Sequence, residues 1–255
     1  MKKVLIIVAG LLLPVIGWAA GEAPTYPNDH IEIDWTDKAA MQRGARTFVN
    51  YCMGCHSAAY SRYERVGKDL GIPDDLVRDN LIFTTDATGD KTKIGELMKI
   101  AMSPKYGEKA FGVVPPDLSL VARSRGVDWL YNYLRGFYAD ESREAIGVNN
   151  GVFPNVGMPH VLVDLQGLQR PKYKTVTDSE GNDHEIIVGF EMLEPGSMTP
   201  SEYDQTVHDL VAFLDYVAEP YKQTRKNVGT GVIIFLLVFL ILAFFLKREY
   251  WKDVH

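Results

Sequence analysis

Cysteine is scarce in this chain: only two of its 255 residues are cysteines, Cys52 and Cys55. An exported domain of this size that depended on disulfides would carry more of them. A structural zinc site needs four ligands, and the sequence has no second Cys-Cys or His-His pair at a matching spacing. We also find no internal repeat and no low-complexity tract. The length suits one globular domain with additional segments.

Positive charge is scarce in the central part of the chain. The whole sequence has a net charge of −6, and residues 20–221 alone carry about −12. This balance excludes nucleic acid as an expected partner and favours a cationic protein partner, although solubility alone explains an acidic surface equally well.

Long apolar runs are absent except near the two ends. The first run covers residues 4–16, follows a basic start and is followed by small residues that suit a signal peptidase. This pattern predicts a signal peptide at residues 1–19. The alternative is a short N-terminal membrane anchor, but Pro14 would disrupt a spanning helix.

The second run, residues 228–246, has no charged side chain. As a helix it would be about 28 Å long, close to the hydrocarbon thickness of a bilayer, so it predicts a transmembrane anchor. Three basic residues flank it on each side, so the positive-inside rule does not give its orientation. The signal peptide does: it places residues 20–221 in the periplasm and residues 247–255 in the cytoplasm.

Helix signals occur at four places between these runs. Thr36 or Asp37 can cap a helix that runs toward Cys52. A second helix is predicted over residues 93–102, before Pro104. The other two are predicted over residues 129–135, with Asp128 as the cap and Gly136 at the end, and from Thr199 to Glu219, where Thr199-Pro200-Ser201-Glu202 is a capping box. Residues 173–176 and 186–190 flank a turn sequence and predict a β-hairpin.

The motif Cys52-Met53-Gly54-Cys55-His56 carries the chemistry. Two thiols at this spacing can form thioether bonds to the two vinyl groups of one haem, and the adjacent histidine can then bind the iron. A thioredoxin-type redox pair uses the same cysteine spacing but expects a preceding strand, whereas an amphipathic helix is predicted here. The motif therefore predicts one covalent haem c with His56 as an axial ligand.

The residues alone leave the sixth iron ligand open. Met158 lies in Asn155-Val156-Gly157-Met158-Pro159, a loop that can present a thioether sulfur rigidly. Met102 is the main competitor, because small c-type cytochromes often place methionine some tens of residues after the histidine. Met192 and Met198 are further candidates, and His160 would give bis-histidine ligation. Any lone methionine can also simply fill a core.

From about Trp35 to the C-terminus the sequence resembles bacterial cytochrome c1, the haem subunit of the ubiquinol–cytochrome c reductase (cytochrome bc1) complex. The matching elements are the CxxCH motif at Cys52, Pro115-Pro116-Asp117-Leu118-Ser119 with Arg123 and Arg125, Met158-Pro159, and Ala218-Glu219-Pro220 before the anchor. Two positions depart from the family pattern: Trp129 replaces the usual tyrosine, and Met158-Pro159-His160 replaces the commoner Met-Pro-Pro.

The resemblance implies roles for four further residues. Met158 would be the methionine ligand, and Arg125 would bind a haem propionate through a charge-assisted hydrogen bond. Trp129 would donate a hydrogen bond from its indole N–H in place of the tyrosine. The carbonyl of Pro115 or Pro116 would accept the Nδ1–H of His56 and so orient the ligand.

The resemblance also implies a fold and partners. We expect a mostly α, class I cytochrome c-like haem domain with a small β-hairpin insertion and one C-terminal transmembrane helix. In this fold Gly44 and Phe48 of the first helix would cross Phe213, Leu214 or Tyr216 of the last. The expected function is electron transfer from a Rieske iron–sulfur protein to a soluble or membrane-bound cytochrome c, beside cytochrome b, within a dimeric respiratory complex in the inner membrane.

Two rival functions remain at this point. One is a stand-alone anchored cytochrome that serves another oxidase or reductase. The other is a membrane-tethered thiol–disulfide oxidoreductase that uses Cys52 and Cys55.

Overall fold

The computed structural model describes residues 28–86, 88–178 and 180–253. Residues 1–19, for which a signal peptide is predicted, lie outside these ranges. The helices of the described ranges are α1 Lys38–Thr47, α2 Tyr63–Leu70, α3 Asp74–Asn80, α4 Pro104–Phe111, α5 Val121–Arg125, α6 Val127–Arg135, α7 Val163–Gln166, α8 Pro200–Ala218 and α9 Lys222–Tyr250. A π-helical turn, Phe48–Cys52, continues α1 without a break.

The strands form three separate antiparallel pairs. They are β1 Ala58–Arg62 with β2 Leu97–Met98, β3 Phe137–Ala139 with β4 Val148–Asn150, and β5 Gly167–Thr177 with β6 Asp183–Pro195. The chain is thus mostly helical with small sheets, as the sequence predicts.

The core is built where α1 crosses α8. A Cβ placed on Gly44 would lie 2.0 Å from the backbone oxygen of Asp209, so only glycine permits this approach. One turn further along, at the start of the π-helical turn, the ring of Phe48 packs against Phe213 with ring centroids 5.5 Å apart, and both side chains are buried. The predicted contact of Gly44 and Phe48 with Phe213 is confirmed.

An ion pair joins the same two helices beside the crossing. Arg43 donates from Nε and Nη2 to the two carboxylate oxygens of Asp209, at 2.6 and 3.1 Å. Asp209 is buried, and Gln205 also donates to it at 2.9 Å. A buried carboxylate without such partners would be strongly destabilising, so this pair fixes how α1 lies along α8.

The ends of the predicted helices are partly confirmed. Asp37 caps α1, accepting from the backbone of Ala40, and Thr199 and Glu202 form the capping box that begins α8. Asp128 is not the cap of α6, which begins after Gly126. Its carboxylate instead accepts from the backbone N–H of Ile31 at 2.9 Å, so it secures the segment that leads into α1.

The predicted helix over residues 93–102 is wrong. The backbone carbonyls of Ile94 and Glu96 accept hydrogen bonds from the first residues of α2, and Leu97–Met98 pairs with β1. These contacts with other elements use the groups that helical bonds would need, so tertiary pairing overrides the local helix propensity. The helix in this region, α4, begins at Pro104, the residue that the sequence analysis took as a stop.

The predicted hairpin is confirmed and is longer than its sequence signal. It extends from Gly167 to Pro195. Gly167 lies against the backbone of Glu194, and Gly181 has a positive φ in the turn between the strands. Its base is attached to the body through Gln169, whose side chain donates to the backbone oxygens of Arg135 and Phe137 at 2.9 and 2.7 Å.

The helix α9 is the one helix of the described residues that is long and apolar enough to cross a membrane. Its 29 residues give a length of about 44 Å, more than the hydrocarbon core requires. At its start, Lys222 binds the buried carboxylate of Asp215 at 2.8 Å and lies 4.7 Å from the centre of the Trp35 ring. Arg225 pairs with Glu219. These contacts attach the start of α9 to the end of α8 and to Trp35.

Replacing Gly44 with alanine tests the helix crossing. We expect Gly44→Ala to lower the free energy of unfolding by about 1–3 kcal/mol, because the added methyl group meets a backbone atom and the helices must separate. This loss should outweigh the gain of about 1 kcal/mol in helix propensity. Urea unfolding of the purified protein in detergent, followed by circular dichroism, measures it.

Gly189→Ala is the matched control, since a Cβ at Gly189 has no atom within 4 Å. If both variants unfold at the urea concentration of the unmodified protein, the close crossing does not contribute to stability in the way described.

Candidate haem-binding site

The CxxCH motif lies where α1 ends in the π-helical turn. The backbone N–H of Met53 donates to Phe48 at 2.9 Å, which is the wider spacing of a π-turn. The N–H groups of Cys55 and His56 then both donate to the carbonyl oxygen of Cys52, at 3.0 and 2.9 Å. This tight turn keeps the two thiols and the imidazole within one short segment. Single π-turns of this kind are frequent at functional sites.

A cavity open to solvent lies beside this turn, with about 500 Å³ of empty space when the part continuous with solvent is included. Its walls are almost entirely apolar, and they bring together both cysteines, His56, Pro116 and Met158 from segments more than forty residues apart. The lining residues are Tyr51, Cys52, Cys55, His56, Phe111, Val113, Pro115, Pro116, Gly157, Met158, Pro159 and Val161.

The imidazole of His56 is oriented by a backbone carbonyl. Its Nδ1 lies 2.7 Å from the carbonyl oxygen of Pro116, the acceptor that the sequence analysis proposed together with Pro115. Burial lowers the pKa of His56, while the Pro116 carbonyl opposes this shift. Nδ1 therefore carries the proton, and Nε2 keeps its lone pair for a metal.

The segment around Pro116 is itself held firmly. The backbone N–H of Leu118 donates to the carbonyl of Ser57 at 2.8 Å, and Asp117 accepts from the N–H of Ala59 at 2.9 Å. Since these bonds join residues 57–59 to residues 117–118, the carbonyl that orients His56 is fixed relative to the CxxCH turn.

Met158 lines the same cavity, although it lies far from the CxxCH motif in the sequence. Its sulfur accepts a hydrogen bond from the hydroxyl of Tyr133, with the two atoms 3.3 Å apart. Burial raises the pKa of Tyr133, so the hydroxyl keeps its proton and remains a donor. Tyr133 was missed by the sequence analysis, although its position four residues after Trp129 on one face of α6 was an available signal.

The other candidate ligands lie elsewhere. Met102 lines a neighbouring cavity with Ser103 and does not line the one that contains His56. Met192 is exposed on β6, and the sulfur of Met198 contacts the hydroxyl of Thr206.

His160, the residue that would have given bis-histidine ligation, does not line the cavity either. Its ring is buried and stacks on Phe137 with ring centroids 4.9 Å apart. Burial lowers the pKa of His160 to about 4, so its imidazole is neutral near pH 7.

Arg125 and Trp129 contact each other and do not line the cavity. The guanidinium of Arg125 lies 5.0 Å from the centre of the Trp129 ring and 5.8 Å from that of Phe153. Trp129 stacks on Tyr133, with ring centroids 4.8 Å apart. Among the described residues Arg125 has no carboxylate partner, so its charge is available to a bound anion.

The two thiols are chemically different from a redox pair. They are not joined in a disulfide. Burial raises the pKa of Cys52 to about 12, whereas the attacking thiol of a disulfide oxidoreductase needs a lowered pKa to be present as thiolate. The surroundings of Cys52 therefore disfavour thiol–disulfide exchange.

A haem fits the residues that meet at this cavity. Two thiols, an imidazole with a free Nε2 and a thioether sulfur border one apolar space, which matches the donor set of a c-type haem. No group of three or more His, Cys, Asp or Glu side chains that could hold a metal ion occurs in the part of the chain that the structure describes.

Comparisons with known proteins find one matching family and several similar chains. The model of the cytochrome C1 family matches residues 30–254. The chain is 46% identical to the cytochrome c1 of Allochromatium vinosum, covering all of both chains. It is 43% identical to the ammonia monooxygenase gamma subunit of Nitrosomonas europaea, covering 98% of this chain and 97% of that one. It is 27% identical to the cytochrome c1 of Rhodospirillum rubrum, covering 98% and 96%.

Proposed function

The chain belongs to the cytochrome c1 family, and from this membership we propose that it is the haem-carrying electron-transfer subunit of a ubiquinol–cytochrome c reductase. The observation that carries the proposal is the single apolar cavity bordered by Cys52, Cys55, His56 and Met158. In this role the chain is a redox subunit of an enzyme complex and performs no substrate chemistry of its own. Cytochrome b and a Rieske iron–sulfur protein are its proposed neighbours, within a dimeric complex.

We assign the site residues as follows. Cys52 and Cys55 would hold one haem c through two thioether bonds, and His56 and Met158 would bind its iron. Pro116 fixes the tautomer and plane of His56 through the 2.7 Å hydrogen bond. Bound there, the haem supplies one-electron Fe(III)/Fe(II) chemistry. The residues of the chain bind and orient it, and the apolar walls exclude water.

Arg125 and Trp129 are proposed as the propionate contacts. Trp129 stacks on Tyr133, whose hydroxyl contacts the sulfur of Met158, and Arg125 lies over the Trp129 ring with no carboxylate partner among the described residues. An ionised propionate beside it would receive a charge-assisted hydrogen bond. Because the guanidinium lies over the rings of Trp129 and Phe153, these rings would restrict its position when it binds the propionate.

The proposed architecture is a class I cytochrome c-like domain over residues 20–221. It is supported by the crossing of α1 and α8, which places the CxxCH turn at the end of the first helix. We further propose a signal peptide at residues 1–19, a periplasmic haem domain, a single-pass anchor at 228–246 in the inner membrane and a cytoplasmic tail at 247–255. The length and apolar surface of α9 support the anchor.

The direction of electron flow is also a proposal. A Rieske protein would donate the electron, and a soluble or membrane-bound cytochrome c would accept it. The net charge of about −12 on residues 20–221 favours a basic docking face on a soluble acceptor.

Ligand replacement tests the assignment of Met158. We expect Met158→Ala to keep the covalent haem, to lose the methionine–iron charge-transfer band and to have a lower midpoint potential, because thioether ligation raises the potential. Absorption spectroscopy and redox titration measure these changes. Met102→Ala is the matched control and should behave as the unmodified protein. The opposite result for the two variants would assign the ligand to Met102.

The dependence of electron transfer on salt tests the proposed docking. Charge steering between exposed groups is screened beyond about 8–10 Å at physiological ionic strength. The rate constant of association with a basic cytochrome c should therefore fall by about tenfold or more as salt is raised from low to above physiological concentration. Stopped-flow mixing measures this rate. An acidic cytochrome c is the control and should show the reverse trend; a rate with the basic partner that does not change with salt would contradict the proposed docking.

A further inference from the structure

The segment that leads into Met158 has no regular secondary structure, but four of its backbone N–H groups and the carbonyl of Val156 are hydrogen-bonded to residues outside it. It begins after β4 and covers residues 151–157. Asn155 has φ of 61°, the one non-glycine residue of the described ranges with a positive φ. Asparagine adopts the left-handed conformation more readily than other residues with a side chain, and the contacts around Asn155 stabilise it there.

Asn150 supplies the first set of these contacts. It is fully buried, and its Oδ1 accepts hydrogen bonds from the backbone N–H groups of Val152 and Phe153, at 2.9 and 3.0 Å. Its Nδ2 donates to the backbone oxygen of Tyr133 at 2.8 Å. One carboxamide thus joins the start of the segment to α6, the helix whose Tyr133 hydroxyl contacts the sulfur of Met158.

Asn149 supplies the second set. Its Oδ1 accepts from the N–H of Asn155 at 2.8 Å and from that of Asn150 at 2.9 Å. Its Nδ2 donates to the carboxylate of Asp140 at 2.8 Å, which fixes the direction of the carboxamide. Since Asn149 is buried, this side chain holds the left-handed residue from within the body of the protein.

Arg143, in the turn between β3 and β4, supplies the third. It donates from Nη1 to the side-chain oxygen of Asn155 at 3.2 Å and from Nη2 to the backbone oxygen of Val156 at 2.6 Å. Val156 is itself buried against Phe137 and Val148. Only Gly157 separates this anchored residue from Met158.

We propose that Arg143, Asn149 and Asn150 are positioning residues that hold the segment 151–157 so that the sulfur of Met158 stays at the cavity. The inference rests on the proposed role of Met158 as an iron ligand. None of the three residues lines the cavity, so each acts through the backbone of the segment. Side-chain hydrogen bonds fix the backbone of this segment, as the regular hydrogen bonds of a helix or strand fix the backbone of other ligand residues.

The consequence is an equilibrium between bound and dissociated methionine. Every bond that holds the segment also favours the bound state, and losing one buried hydrogen bond should raise the dissociated fraction by about tenfold. A dissociated methionine leaves the sixth position open to an external ligand. Carbon monoxide, which binds reduced haem at an open position, reports that fraction directly.

The test uses the full-length haem-loaded protein in detergent and the rate of carbon monoxide binding after reduction. In Asn149→Asp two carboxyl groups face each other where Asn149 now donates to Asp140, so the rate should rise by about tenfold or more. Arg143→Gln should also raise it. Asn80→Ala and Arg170→Gln, which alter exposed side chains with no hydrogen bond to the segment, should not.

A second substitution provides the rescue. Asp140→Asn combined with Asn149→Asp exchanges donor and acceptor but restores the hydrogen bond, and the Oδ1 of residue 149 can still accept from Asn155. The double variant should return the binding rate and the methionine–iron charge-transfer band toward those of the unmodified protein. A general loss of packing would not be repaired by this exchange.

Met158→Ala separates this inference from the ligand assignment. If Met158→Ala leaves the rate and the band unchanged, the ligation itself is wrong. If Met158→Ala opens the site while Asn149→Asp and Arg143→Gln bind carbon monoxide as slowly as the unmodified protein, the positioning role is wrong. Should Asn149→Asp fail to fold, Arg143→Gln decides, because that side chain is only half-buried.

Discussion

A close backbone contact between two helices, where Gly44 of α1 meets Asp209 of α8, determines where the site can form. A Cβ at Gly44 would come within 2.0 Å of the Asp209 oxygen, so the two helices touch without intervening side chains. The Arg43–Asp209 pair fixes their relative orientation at the same level. Because the CxxCH turn follows α1 directly, the position of both thiols and of His56 depends on this crossing.

The two sides of the cavity are held by different means. On the histidine side, backbone bonds join residues 57–59 to residues 117–118 and so fix the Pro116 carbonyl against His56. On the methionine side, the segment before Met158 has no regular structure. Buried asparagine side chains and one arginine form hydrogen bonds with its backbone. An apolar lining of this kind would favour the less charged, ferrous state of a haem iron held between the two sides.

Sequence reasoning recovered the parts of this account that depend on local signals. The capping box at Thr199, the helix leading to Cys52 and the hairpin follow from patterns within a few residues. The helix predicted over 93–102 failed because Ile94 and Glu96 bond to α2, which no local pattern reveals. The donor to the Met158 sulfur, Tyr133, lies 25 residues before it, and only its spacing from Trp129 pointed to it. The asparagine contacts with the segment are local, but no recognised motif predicts them.

The central claim is that one haem is bound covalently at the CxxCH turn, and peptide mass spectrometry tests it most directly. The purified protein would be denatured, extracted to remove free haem and digested, and the peptide with Cys52 and Cys55 would be weighed. The account predicts a peptide heavier by one haem, with neither thiol open to alkylation. A peptide of unmodified mass with two alkylated thiols, or with a disulfide between them, would contradict it.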